Sequence, residues 1–168
     1  PAVVMALRRY AEEITGHREK SRLFDYTGEL LVKTNIADFT FVKTHTLLAK
    51  LRTIHNLVDF ERGDTLNIIL GNNEVSIIIN EKHMHDLAKF LGGEKIINRE
   101  KDLVSLTIVF TKGDFTHTPG IIFNAVRKLA WNSINIYEIV STMTELTFIL
   151  HKKDSMKAYD VLQELVGK

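Results

Sequence analysis

Hydrophobic positions in the second half of the chain follow two different periods. Segments in which apolar and polar residues alternate, rich in β-branched side chains, predict strands at residues 103–111, 134–141 and 145–151. Apolar residues three and four apart predict a helix at residues 119–131, and a last helix follows, up to Leu165. The predicted order of elements is therefore strand, helix, strand, strand, helix.

Local signals place some of the ends and faces of these elements. Pro119 suits the first turn of the predicted helix, and Gly120 follows it at once. In the second predicted strand, regular alternation turns Ile134, Ile136 and Glu138 to one face of the sheet.

The first half of the chain repeats this order of elements. Its segment EVSIIINEK, at residues 74–82, lines up with ELTFILHKK at residues 145–153. Such matched segments in one chain indicate an internal duplication. Strands are predicted at residues 37–43, 65–71, 74–80 and 94–98, and helices at residues 46–57 and 83–91.

A strand–helix–strand–strand–helix–strand unit is typical of the ferredoxin-like fold, an antiparallel sheet with two helices on one face. The sequence therefore predicts an α+β protein built from two tandem βαββαβ units, preceded by an N-terminal helix. One such unit alone leaves a bare sheet face and an open edge strand, and we expect two units to join edge to edge.

The first residues of the chain leave two interpretations open. Residues 2–14 predict a helix with Arg8 and Arg9 on its polar side. It is either a packing helix with a solvated basic face or part of a DNA-binding helical module. Residues 17–28 are charged and predict a linker or a short extended segment. The predicted domains are thus an N-terminal helix and linker at 1–28, a first unit at 29–100 and a second unit at 101–168.

Composition excludes several classes of protein. The 168 residues carry a net charge of +1, which gives no general reason to bind nucleic acid or an anionic membrane. The sequence has no cysteine, so disulfides, thiol nucleophiles and zinc-finger sites are excluded, and a reducing cytoplasm is the expected location. No apolar run approaches the roughly 20 residues that a membrane-spanning helix needs.

Motifs for catalysis or metal binding are missing from the sequence. It contains no phosphate-binding loop and no nucleophile elbow. His83 and His85 are two residues apart, a spacing that points them in different directions on a helix, so they do not make a metal site. A small enzyme built from scattered histidines and carboxylates is the weakest of the functional hypotheses. We expect no catalytic residues, no metal and no cofactor.

The segment before the helix at residues 119–131 does suggest a binding site. Gly120 allows close approach of the backbone, and the first amide groups of a helix have no partner within it. The amides of Ile121 and Ile122 would therefore favour a carboxylate, and a nearby carbonyl or acidic group would hold an ammonium. Together these describe a site for an α-amino acid. The alternative is a tight strand-to-helix turn with water on the donors.

Residues 103–166 resemble an ACT domain, most closely the regulatory ACT domains of aspartokinases. The resemblance rests on four features in order: a loop ending in Pro119-Gly120, the strand start Ile134-Asn135-Ile136, the turn Ser141-Thr142, and Thr144-Glu145 before an apolar strand. Residues 37–98 match more weakly, as a second ACT-like copy that lacks Pro-Gly.

This resemblance implies a regulatory module that binds an amino acid where two ACT domains meet. Tyr137 stands where aspartokinases often have an acidic residue, and Met143 and Thr144 lengthen the turn before Glu145. Both departures bear on the identity of the ligand. The ligand-binding residues implied by position are Asp114, Thr118, Gly120, Ile121 and Ile122 on the loop side, and Asn135, Ile136, Tyr137, Thr142 and Glu145 on the strand side, partly from a neighbouring domain.

The resulting hypothesis is an allosteric sensor of amino-acid metabolism without catalysis of its own. Its expected partners are an amino acid or a similar metabolite, a second copy of the chain in a homodimer joined by sheet edges, and a catalytic or DNA-binding partner domain. The alternative is a ligand-responsive transcription regulator, whose DNA-binding part would lie at or before the N-terminal helix.

Overall fold

A computed structural model describes residues 3–10, 28–111 and 118–166. Within them the chain forms one antiparallel sheet of six strands, together with five α-helices and several short 3₁₀ turns. The strands are β1 (Gly28–Val42), β2 (Leu66–Leu70), β3 (Glu74–Asn80), β4 (Ile96–Phe110), β5 (Ile136–Ser141) and β6 (Glu145–His151). The helices are α1 (residues 3–10), α2 (His45–Leu51), α3 (Met84–Phe90), α4 (Ile121–Trp131) and α5 (Ser155–Val166).

The sheet contains two units that share their long strands. Its order is β2-β3-β1-β4-β6-β5, and β1 and β4 are 15 residues each. In the first unit, residues 36–42 of β1 lie between β3 and the beginning of β4. In the second, residues 103–109 of β4 pair with β6. Both units show the strand order of the ferredoxin-like fold, which confirms the predicted α+β architecture of two tandem units.

The fourth strand of the second unit comes from the beginning of the chain. Residues 28–33 of β1 pair with residues 105–110 of β4. Residues 29–33 were predicted to belong to the first unit, because no local pattern in the sequence shows a pairing across some 75 positions. The division of the chain into domains therefore remains a prediction.

The two units contact each other through the faces of the sheet that their helices leave bare. Each long strand contains a residue with a left-handed backbone, Asn35 in β1 and Asp102 in β4, each with φ of 57°, and the register between the two strands is irregular there. The bare faces then meet in a small apolar cluster of Ile36, Ile78, Leu103 and Ile149, all fully buried. The two units are thus joined edge to edge in one sheet through the shared strands β1 and β4, and the contact between their bare faces removes the four residues of this cluster from water.

Each unit has its own core on the opposite, helix-covered face of the sheet. Alternation along β1 and β3 turns Phe39, Phe41 and Ile77 towards α2 and α3. In the second unit the same alternation turns Leu106 and Phe148 towards α4 and α5. Two helix–sheet cores therefore flank the central contact between the units.

Most predicted elements are confirmed, with informative differences at their ends. The helix predicted at 46–57 ends at Leu51 and is followed by a 3₁₀ turn, Ile54–Leu57. The helix predicted from Pro119 begins at Ile121, because Gly120 has φ of 92°, outside the helical region.

A bulge corrects the prediction for the strand that contains Glu138. Leu150 of β6 lies opposite Ile136, but the next residue, Ile149, lies opposite Glu138, so Tyr137 is an extra residue in β5. Ile136 packs on the helix side, whereas Glu138 is turned to the bare face, towards the first unit. Ile136 and Glu138 therefore lie on opposite faces of the sheet, and the prediction that they share one face is wrong.

The N-terminal helix is described only in part. Residues 3–10 are helical, and all of their side chains are exposed. The rest of the predicted helix at 2–14, and the linker up to residue 27, lie outside the described residues. No helix in the described ranges is long and apolar enough to cross a membrane.

Candidate functional site

The residue before the first turn of α4 is a glycine in a backbone conformation that other residues rarely adopt. Gly120 is the N-cap of α4, with φ of 92° and ψ of 0°. Its carbonyl accepts the first helical hydrogen bond from Asn124 at 2.9 Å. A β-carbon added at Gly120 would meet no atom within 4 Å, so the space beside it is open.

The first amide groups of α4 have no partner of their own in the described part of the protein. No side chain there caps Ile121 or Ile122, and the first turn contains no acidic residue. Unpaired amides and the positive end of the helix dipole point in the same direction. The entrance of α4 is therefore suited to an anionic group.

A groove of about 330 Å³ lies over this entrance. The side chains of Ile122 and Phe123 are 43% and 63% exposed, so the wall on the helix side is largely apolar. None of the described lining residues carries a charge. They are Thr118, Gly120, Ile121, Ile122, Phe123, Ser141 and Thr142.

The second wall of the groove is the hairpin between β5 and β6. The amide of Thr142 donates to the carbonyl of Glu145 at 2.9 Å, which closes the turn. The carbonyl of Thr144 accepts from the amide of Phe110 at 2.8 Å, so the turn is fixed to the end of β4. Glu145 supports this wall through its main chain, while its exposed side chain does not line the groove.

The corresponding entrance in the first unit is filled by its own side chains. At the start of α2, the hydroxyl of Thr44 accepts a hydrogen bond from the amide of Leu47 at 3.0 Å. The carboxylate of Glu94 accepts from the hydroxyls of Thr44 and Thr46 at 3.0 and 3.1 Å and pairs with Lys50 at 2.9 Å. The hydrogen bond from Lys50 and those from the two threonines lower the pKa of Glu94. A carboxylate of the protein thus occupies this position in one unit.

Asn135, Ile136 and Tyr137 lie at the other end of the second unit. The amide of Ile134 donates to the carbonyl of Leu129, near the C-terminus of α4. Since α4 has 11 residues, about 16 Å of helix separate this position from Gly120. These three predicted residues therefore do not join the groove within one chain.

Tyr137 instead contacts the first unit. Its hydroxyl accepts from the side-chain amide of Asn98 at 2.7 Å and donates to the carboxylate of Asp38 at 3.3 Å. Burial and the charge of Asp38 raise the pKa of Tyr137 to about 12, so its hydroxyl keeps its proton. Its ring meets the ring of His151 edge-on, with centroids 6.0 Å apart.

Of the predicted binding residues, the structure brings five together in the groove: Thr118, Gly120, Ile121, Ile122 and Thr142. Asp114 lies outside the described residues. Sequence reasoning did not include Phe123 and Ser141, although each is adjacent to a predicted residue and the helical period could have placed Phe123 on an exposed side.

Histidines and carboxylates make structural contacts in the described ranges. His83 hydrogen-bonds with Asp64 at 2.7 Å, and Lys82 pairs with the same carboxylate. No three of these side chains converge in a way that could hold a metal ion in the part of the chain that the structure describes.

Comparison by sequence finds no protein-family model and no curated protein that matches the chain. Comparison by structure finds regulatory domains of aspartate kinases. The ligand-free regulatory subunit of aspartate kinase from Thermus thermophilus aligns with a TM-score of 0.64 at 15% identity, over 83% of this chain and 97% of that one.

Two complete enzymes contain the same arrangement. The aspartate kinase of Clostridium acetobutylicum aligns with a TM-score of 0.64 at 16% identity, over 82% of this chain and 34% of the enzyme. Aspartokinase III of E. coli, in complex with lysine and aspartate, aligns with a TM-score of 0.59 at 12% identity, over 83% of this chain and 33% of the enzyme. The fold is thus that of aspartate kinase regulatory domains, as the resemblance predicted, and the chain spans about a third of these two enzymes.

Proposed function

We propose that this protein is a regulatory module that binds an amino acid, or a similar small carboxylate, in the groove at the entrance of α4. The single observation that carries the proposal is the entrance itself. Gly120 leaves the first amides of α4 without a partner, beside an open volume of about 330 Å³. Backbone amides at a helix N-terminus bind carboxylates well.

The contrast between the two units supports a carboxylate as the bound group. In the first unit the carboxylate of Glu94 is held beside the start of α2 by two hydroxyls and Lys50. In the second unit no described side chain takes the corresponding place at Ile121 and Ile122. A ligand would supply there what the protein supplies for itself in the first unit.

Apolar walls favour a ligand with an apolar side chain. Ile122 and Phe123 are the most exposed apolar groups at the groove, and covering them removes hydrocarbon from water. The ligand's ammonium needs a carbonyl or a carboxylate, and Asp114 is a carboxylate predicted for the loop side of the site.

A homodimer would bring Asn135, Ile136 and Tyr137 to the same site. Within one chain these residues lie at the far end of α4, so they reach a groove only in a neighbouring copy. The edge strands β2 and β5 each have one side free of pairing within the sheet, as such a contact requires. We propose that the module works in the cytoplasm, without catalysis of its own, and transmits ligand binding to an attached or partner domain. Nothing in the described structure specifically favours the alternative of a transcription regulator.

Isothermal titration calorimetry of the chain against each of the twenty amino acids tests this function. We expect at least one to bind with a dissociation constant of about a millimolar or lower, which corresponds to about −4 kcal/mol. Gly120→Ala should weaken binding at least tenfold, because the left-handed conformation of Gly120 costs a residue with a β-carbon about 1–2 kcal/mol and the turn would move.

Gly93→Ala is the matched control. Gly93 also has a left-handed backbone, with φ of 86°, and has no atom within 4 Å of an added β-carbon. The Gly93→Ala variant should therefore lose a similar amount of stability and keep its affinity for the ligand. Absence of binding by any amino acid at millimolar concentration, or an equal loss in the two variants, would refute the site.

A further inference from the structure

A chain of hydrogen bonds joins the bare faces of the two units. Asp38 of β1 is 1% exposed and accepts from the hydroxyls of Thr40 at 3.0 Å and Tyr137 at 3.3 Å. Its other oxygen accepts a hydrogen bond from the hydroxyl of Ser76 on β3. The same hydroxyl lies 3.1 Å from the carboxyl of Glu138 on β5.

If both carboxyls are ionised, this series of hydrogen bonds contains too few protons for every contact to be a hydrogen bond. The hydroxyl of Ser76 has one proton, which it can give to Asp38 or to Glu138 but not fully to both. If both groups were charged, one carboxylate would face an oxygen lone pair with no proton between them. One carboxyl must therefore carry a proton for both contacts to be hydrogen bonds.

The hydrogen-bond donors around the two carboxyls favour Glu138 as the one that carries the proton. Asp38 accepts from three hydroxyls, those of Thr40, Ser76 and Tyr137. Glu138 has only the hydroxyl of Ser76. A protonated Glu138 donates to Ser76, which then donates to Asp38, and every group in the chain has a partner.

We propose that Glu138 holds the proton that joins the two units, and that the contact between the units loosens when this proton is lost. Glu138 thereby acts as a pH-sensitive latch on the face-to-face packing of the units. Because β5 ends at Ser141 in the groove wall, the latch also sets the position of that wall relative to the first unit.

Burial and the charges around Glu138 also favour its protonated form. Burial raises the pKa of Glu138 above its ordinary value of 4.5, and the charges of Asp38 and Glu74 raise it further. The other titratable groups facing this contact are Glu100 of β4, Tyr137 of β5 and His151 of β6. Lys43, just after β1, donates to the carbonyl of Gly71, and none of the ion pairs between described residues involves Asp38, Glu74 or Glu138.

The sign of the pH dependence follows from the raised pKa. An acid that binds its proton more tightly in the folded state stabilises that state below its unfolded pKa. This contribution is lost as the pH rises from about 4.5 through the folded pKa. Glutamine imitates the protonated form, because its amide can donate to Ser76 at any pH.

Thermal unfolding of the full chain and of Glu138→Gln, between about pH 4.5 and 8, tests the latch. We expect similar midpoints at the acidic end, and a variant that becomes progressively more stable than the wild type as the pH rises. Glu61→Gln, the same substitution at an exposed residue of a 3₁₀ turn, is the matched control.

A second measurement does not depend on the stability of a variant. The side-chain carboxyl carbon of Glu138, observed by NMR in the wild-type chain, should titrate with a midpoint above 4.5. A midpoint at or below that value would overturn the proposal. So would a difference between the Glu138→Gln variant and the wild type that stays constant with pH.

Discussion

Replacing Leu103 by alanine tests whether the two units unfold as one. Leu103 is fully buried in the cluster where the bare faces meet, with Ile36 and Ile78 from the first unit and Ile149 from the second. It lies next to the left-handed residue Asp102 in a strand that both units share. A cavity at this position removes contacts from both units at once.

The size of the effect follows from burial. Leucine to alanine removes three carbon groups, worth about 0.8 kcal/mol each, or about 2.4 kcal/mol of transfer free energy. The cavity adds to this, so the free energy of unfolding should fall by about 2.5–5 kcal/mol. For a chain of this size each kcal/mol lowers the unfolding midpoint by about 2–4 °C, which predicts a drop of roughly 5–20 °C.

Amide hydrogen exchange identifies the strands that lose stability in Leu103→Ala. Strands β3 and β6 belong to different units and do not pair with each other. If the central contact couples the units, the slowest amides of both strands should lose the same free energy of opening in Leu103→Ala. Unfolding by denaturant should remain a single transition.

Leu70→Ala is the matched control for this prediction. Leu70 lies on the edge strand β2 and is 58% exposed, so the same substitution should cost less than about 1 kcal/mol. The reasoning would be refuted if Leu103→Ala weakened protection in only one unit, or if two separate unfolding transitions appeared with only one of them shifted.

Two further predictions concern charge and the exposed face of α4. Hydrogen bonds from Lys82, the amide of Asp59 and His83 hold the pKa of Asp64 far below its usual 3.8. The charged Asp64 therefore stabilises the folded state above pH 3.8, and this stabilisation is lost on acidification. Asp64→Asn should therefore flatten the acid limb of the unfolding midpoint between about pH 4 and 2. The guanidinium of Arg127 lies 5.4 Å from the ring of Phe123 and 4.9 Å from that of Trp131. Arg127→Ala should lower stability by about 1 kcal/mol or less and increase acrylamide quenching of Trp131, the single tryptophan.

Local periodicity was enough to predict most of the sheet. Alternation in β3 and β6 and helical spacing in α4 are strong because each element buries only one side against a core. The duplication was visible because β3 and β6 keep almost the same pattern of apolar positions. The contribution of residues 28–33 to the second unit was not predictable, because pairing across a whole inserted unit leaves no signal in the neighbouring residues.

The two structural features around Glu138 could not be found from sequence either. A bulge at Tyr137 depends on a one-residue shift against β6, and alternation along β5 alone cannot detect it. Asp38 and Ser76 are 38 residues apart, and Ser76 and Glu138 are 62 apart, so only the packing of the bare faces brings them together. In contrast, Gly120 and the amides after it are neighbours in the chain, and sequence reasoning located that entrance directly.

The two copies of the unit differ at the starts of their first helices, as the proposed regulatory function would require. In the first unit the side chains of Thr44 and Glu94 close the start of α2. The second leaves the start of α4 open, and a ligand bound there can influence the rest of the protein only if it binds two arrangements of the units with different affinity. The contact between the bare faces is where such arrangements can differ, since it contains both the apolar cluster around Leu103 and the proton-dependent chain through Ser76. We therefore expect substitutions in that contact to change any coupling between a ligand bound in the groove and the first unit.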